Sequence, residues 1–226
     1  MLRRLGGVSV VVAGLVLTPL ASGSAHADDT AAANPGAAAE CAYSPNSLLL
    51  GSDAKAVKFE VPDAGSWRVQ VPALGIDAAP GHVVKNFLPK TFKNSQAGLS
   101  KATITRDGTT CTSTFRLRRP SMLTMVVIHK HPYRYLGGKV VRSNYGEGLP
   151  VRSPIKGARI AVQRLTKQGW VTEKWMTTDK KGFFIGKAKI GKRTWRAMLE
   201  TSVTTQGNVS KAATNETEWA DIKDIG

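Results

Sequence analysis

Acidic residues are scarce in this 226-residue chain: 16 Asp and Glu stand against 32 Lys and Arg, for a formal net charge of +16. Cysteine is scarcer, with Cys41 and Cys111 alone, and histidine occurs four times. Each shortage excludes something. Two cysteines cannot form a four-thiolate metal site. So few acids, none placed in an apolar cleft by its neighbours in sequence, do not indicate the carboxylate pair of a glycosidase. No Gly-x-Ser-x-Gly elbow occurs, and Gly137-Gly138-Lys139 lacks the strand-to-helix setting of a phosphate loop. His129-Lys130-His131 places two imidazoles on one strand face, but no nearby acid or cysteine completes a shell, and Lys130 opposes a cation. His82 follows the turn Pro80-Gly81 without the serine and acid of a nucleophilic triad. The sequence therefore assigns no catalytic residue, no metal ligand and no cofactor, and reads as a non-enzyme.

Long apolar runs are also missing, apart from the N-terminus. Met1-Leu2-Arg3-Arg4 is followed by an apolar stretch from Val8 to Leu20 and then by small residues ending in Ala25-His26-Ala27. This is the layout of a signal peptide over residues 1–27, and the apolar stretch is shorter than the roughly 18–20 residues of a spanning helix. The expectation is a secreted, extracellular protein beginning near Asp28, with a flexible Ala-rich leader over 28–40. In an oxidising compartment, two cysteines in one predicted domain read as a disulfide, Cys41 to Cys111.

What the chain does have is short alternating segments separated by turn residues. Strands are predicted at 47–50, 55–61, 66–71, 101–106 and 110–117, with Arg106-Asp107-Gly108-Thr109 as a hairpin turn. Cys111, Ser113, Phe115 and Leu117 share one strand face. Beyond Arg118-Arg119-Pro120-Ser121, further strands are predicted at 122–130, 138–142, 158–165, 170–177, 182–189, 194–205 and 218–223. In the segment 158–165, Ala158, Ile160 and Val162 share a face. Trp170, Trp175 and Trp195 fall in predicted strands and most of them read as core, Trp195 as the central packing residue. The fold class is all-β: two tandem Ig-like β-sandwich domains after a cleaved signal peptide. The first is a disulfide-tied sandwich over 41–119, the second a basic sandwich over 120–226.

Within the second segment, Gly157-Ala158-Arg159-Ile160-Ala161-Val162-Gln163-Arg164, Gly169-Trp170-Val171, Thr178-Asp179-x-x-Gly182-Phe183 and Trp195-Arg196 form a recurring pattern. It resembles Ig-like domains of secreted actinobacterial proteins, some loosely labelled calcium-binding. The resemblance implies a sandwich fold and a secreted setting, and no chemistry. The calcium label has no support in the residues, because Asp179 lies among lysines and no acidic loop has calcium spacing.

The charge is unevenly distributed. From Asp28 to Phe115 eight basic and eight acidic residues balance, whereas from Arg116 to Lys211 there are 21 basic and four acidic residues. Glu216, Glu218, Asp221 and Asp224 crowd the end of the chain. A field this concentrated draws polyanions in a salt-dependent way. The segment from His131 to Pro154 interleaves Tyr133, Arg134, Tyr135, Arg142 and Tyr145 with turn residues, and reads either as a loop covering the core edge or as a stacking surface.

The expectation is a secreted non-catalytic module binding an anionic surface or polymer, such as the cell wall, through its basic C-terminal domain. Its expected contacts are Arg134, Lys139, Arg142, Arg152, Lys156 and Arg159, with Lys187, Lys189, Lys192 and Arg193 as a second cluster. The N-terminal domain would be free for a protein partner. The alternative is a secreted inhibitor or antagonist acting through a sandwich loop.

Overall fold

The computed structural model describes residues 41–130, 133–188 and 193–214. The signal peptide expected over 1–27, the leader expected over 28–40, Lys189, Lys192, His131 and the strand expected at 218–223 lie outside them. Among the described residues there is no α-helix. The chain runs through β1 (Ser47–Leu49), β2 (Lys55–Lys58), β3 (Trp67–Val71), β4 (Ile76–Ala78), β5 (Val84–Phe87), β6 (Gly98–Arg106) and β7 (Thr109–Arg118). It continues through β8 (Ser121–Lys130), β9 (Tyr133–Ser143), β10 (Arg152–Pro154), β11 (Arg159–Thr166), β12 (Gly169–Thr177), β13 (Phe183–Lys187), β14 (Thr194–Leu199), β15 (Asn208–Val209) and β16 (Ala213–Thr214).

In the N-terminal sandwich, the sheet β1-β7-β6-β3-β4 faces the pair β2-β5. The first strand lies parallel to the last, Leu48 opposite Leu117, while the remaining neighbours are antiparallel. That order, with the two-stranded sheet closing over it, is an Ig-like arrangement. Alternation explains it locally. Along β7, Ser113, Phe115 and Leu117 are buried while Thr112 and Thr114 point to solvent. The hairpin between β6 and β7 turns at Asp107 (φ 46°) and Gly108 (φ 83°), the positive-φ pair that a two-residue hairpin loop needs. Aromatic rings fill the gap between the sheets: Phe87 lies 5.8 Å from Phe92 and 6.4 Å from Phe115. Cys41 and Cys111 are joined in a disulfide, tying the start of the sandwich to its last strand.

In the C-terminal sandwich, β8 and β13 flank β9, with β10 continuing beside the end of β9. This sheet faces β12-β11-β14, extended by β15 and β16. Leu123, Met125, Val127, Leu136, Val140 and Phe184 from one sheet meet Ile160, Val162, Trp195, Ala197 and Leu199 from the other. Trp195 is 1% exposed and is the largest side chain of this core, as its sequence setting implied. Gly138 has a packing reason: a Cβ there would collide with the Thr124 carbonyl and the Phe184 ring.

The structure departs from the sequence reading in the segment 131–154. A short strand was expected inside a long loop. Instead β9 runs the full length of β8, and β10 returns beside it. Tyr145 is fully buried in the N-terminal core, and its hydroxyl donates to the carbonyls of Leu50 (2.9 Å) and Arg118 (2.8 Å). Arg119, 4% exposed, donates through Nη1 to Asn94 Oδ1 at 2.6 Å, and the Tyr145 amide donates to the same oxygen at 2.8 Å. Burial, with Arg142 nearby, pushes the Arg119 guanidinium down to about 10. A loop of the second sandwich thus completes the core of the first.

Candidate polyanion-binding site

Three chain reversals meet at the end of the C-terminal sandwich opposite this junction, hereafter the far end. They are the β8–β9 hairpin, the β11–β12 hairpin and the passage from β13 to β14. Register brings them together: Lys187 pairs with Tyr135, the Ala188 amide donates to the Arg134 carbonyl at 2.8 Å, and β16 pairs Thr214 with Thr194. An open cleft of about 670 Å³ lies here, lined by Arg164 to Gln168 of the β11–β12 hairpin together with Arg193 and Thr194.

Of the expected contacts, Arg134, Lys187 and Arg193 share this end. The cleft adds two cations that the sequence did not single out, Arg164 and Lys167. Nothing in the sequence around Lys167 tells that β14 begins beside it. Arg164 is bonded through Nε to Glu173, a partly buried pair. Among the described residues, no acid lines the cleft. Arg193 Nε is buried and, among the described residues, has no hydrogen-bond partner. A guanidinium Nε without a partner, in a lining that holds no carboxylate among the described residues, favours an anionic visitor.

The other expected contacts lie elsewhere. Arg142, Arg152 and Lys156 are near the junction. Arg142 Nη1 donates to Thr205 Oγ1 at 3.3 Å, and burial lowers its guanidinium below the ordinary arginine value. Arg152 and Lys156 are exposed, in β10 and the turn before Gly157. Asp179 Oδ1 accepts the amides of Lys181 and Phe183, so that it serves a turn. Lys139 sits midway along β9, its ammonium 5.2 Å over the Phe183 ring. Among the described residues, no group of three His, Cys, Asp or Glu could hold a metal ion.

Arg159 belongs to another feature, the solvent face of the sheet β12-β11-β14. Its guanidinium lies 4.1 Å over the Trp175 ring, and that of Arg196 lies 4.3 Å over Trp170. Arg196 Nε also donates to Gln163 Oε1 at 2.7 Å. These side chains roof the central strand, leaving Ala161 and Gln163 buried although they point away from the core. Trp170 and Trp175 are therefore not core residues, contrary to the sequence reading. Trp175 is 40% exposed. Alternation alone cannot tell an inner from an outer face when both are covered.

No protein-family model matches the chain, and no curated protein matches it. Among solved structures it is similar to the D00-D0 domain of intimin, at 9% identity and a TM-score of 0.27, covering 75% of this chain and 94% of that one. It is similar also to murine CEACAM1b, at 10% identity and a TM-score of 0.27, with the same coverage. Likenesses this distant carry no argument about ligand or partner.

Proposed function

We propose that the chain is a secreted, non-catalytic binding module whose C-terminal sandwich attaches to an anionic extracellular polymer, such as a component of the cell wall. The observation that supports this reading is the far-end cleft, where Lys167 and Arg193 stand without a carboxylate in the lining among the described residues, with Arg134 and Lys187 at the same end of the sandwich. Near the junction Arg119 and Arg142 are spent on hydrogen bonds to Asn94 and Thr205, whereas the far-end cations line an open cleft. A rigid sandwich holding the cleft on hairpin ends suits binding, because the ligand need not order the site.

The test is retention of the protein on purified cell walls, with and without their anionic polymers, across a salt series. Retention should fall steeply with salt and disappear when the polymers are stripped. The double substitution Lys167→Gln and Arg193→Gln should weaken retention by about tenfold and flatten the salt dependence, whereas Arg152→Gln with Lys156→Gln should change it by less than about twofold. No retention at low salt would end this reading.

A further inference from the structure

The cleft does not stop at the hairpin. Leu165, in its lining, lies opposite Trp170 across the β11–β12 ladder, and Gln163, the next residue on that face, lies opposite Arg196. Two further steps along β11 lead to Ala161, opposite Trp175, and then to Arg159. One strip therefore runs from Lys167 and Arg193 past Trp170 and Arg196 to Trp175 and Arg159. From Leu165 to Arg159 it spans roughly 20 Å at strand rise.

Along this strip cations alternate with indoles. Each guanidinium stacked on an indole is held flat, with the N–H groups at its edge available to a carboxylate or phosphate. Arg196 spends one donor on Gln163, and burial lowers its pKa from the ordinary arginine value. Trp175 keeps much of its surface open to solvent. A surface meant only for charge has no use for an indole as exposed as that of Trp175. Such a ring offers an apolar face to a flat partner, and a polymer with a ring between successive charges could satisfy both components at once.

We propose that the ligand of this strip is an acidic polysaccharide: sugar rings rest against Trp170 and Trp175, and carboxylates pair with Arg159, Arg196 and Arg193. This rests on the polyanion reading above and adds the chemical class of the polymer. The length of the strip, roughly 20 Å, calls for an extended chain of several sugars rather than a single acidic sugar.

The experiment titrates the full mature chain with three probes matched in charge: polygalacturonate, polyphosphate and single-stranded oligo-dT. Polygalacturonate should bind about tenfold more tightly than polyphosphate at moderate salt and should change the indole fluorescence. Trp175→Ala should reduce its affinity about tenfold while leaving polyphosphate within about twofold, and Trp175→Phe should recover part of the loss. Circular dichroism of each variant checks that the sandwich persists. The fluorescence change is read on the unaltered protein and needs no variant. Equal affinity for polyphosphate, insensitive to Trp175, would remove the polysaccharide and leave the polyanion reading standing. Tighter binding of oligo-dT would overturn the proposal in favour of a nucleic acid. Binding of no probe even at low salt would sink this proposal together with the reading it rests on.

Discussion

The two sandwiches solve the same packing problem with different means. The N-terminal one is charge-balanced, packs Phe59, Phe87, Phe92, Phe115 and Tyr145 between its sheets, and is tied by the disulfide. The C-terminal one has no cysteine and carries the excess positive charge, and its core is mostly aliphatic side chains and methionine around Trp195 and Phe184. Like charges on a compact body repel. The sandwich that bears that repulsion has no covalent tie among its described residues, so its stability rests on packing and on the junction. Its solvent-facing Arg–Trp stacks also place cations where they contribute attraction as well as repulsion.

Three measurements sharpen this contrast. The largest effect is expected from Trp195→Ala, which empties the centre of the C-terminal core. A cost of about 3–5 kcal/mol should appear in denaturant unfolding, in a transition that spares the disulfide-tied sandwich. A single transition lowered as a whole would show instead that the halves unfold together.

Next is reduction of Cys41–Cys111. The bridge closes a separation of 70 residues, and its loss should destabilise the N-terminal sandwich by about 2–4 kcal/mol. Far-end binding to an anionic polymer should persist under mild reduction, because no cleft residue belongs to that sandwich. Loss of binding on reduction, with the C-terminal sandwich still folded, would break the separation of roles.

The smallest effect concerns Tyr145, the residue that the two halves share. Tyr145→Phe strips the donor from the Leu50 and Arg118 carbonyls, at about 1–3 kcal/mol. It should also change the alkaline limb. Burial raises the Tyr145 and Tyr43 phenols well above their ordinary value of 10.0, so both favour folding while neutral. Their contribution is fully present below pH 10 and is lost as pH rises above it toward the folded-state values. Arg119 acts oppositely: its value is lowered to about 10, and the penalty for burying its charge is relieved as pH rises from about 10. With two tyrosines against one arginine, net stability should fall above pH 10, and Tyr145→Phe should make that fall shallower. Chemical denaturation at stepped alkaline pH reads both slopes. An unchanged slope would mean that Tyr145 is not the titrating group.

The sequence by itself determined that the chain is all-β, where most strands lie, that Trp195 is central, and that the charge gathers in the second half. These follow from period-two alternation, from turn residues such as Asp107-Gly108, and from counting. The pairing of Cys41 with Cys111 followed from there being two cysteines in one predicted domain of a chain expected to be exported. Only the tertiary structure decided the rest. Ile76–Ala78 and Val84–Phe87 were missed because strands of three or four residues between prolines and glycines carry too little alternation to register. Tyr145 joined the other sandwich's core because burial depends on what packs over a loop, which no local pattern records. Lys167 met Arg193 because the β11–β12 hairpin and the start of β14 lie at the same end of the sandwich, and Trp170 and Trp175 turned outward under stacked arginines. Periodicity along one strand says which residues share a face. Which face meets the core, and which charges meet across strands, is decided when the sheets pack.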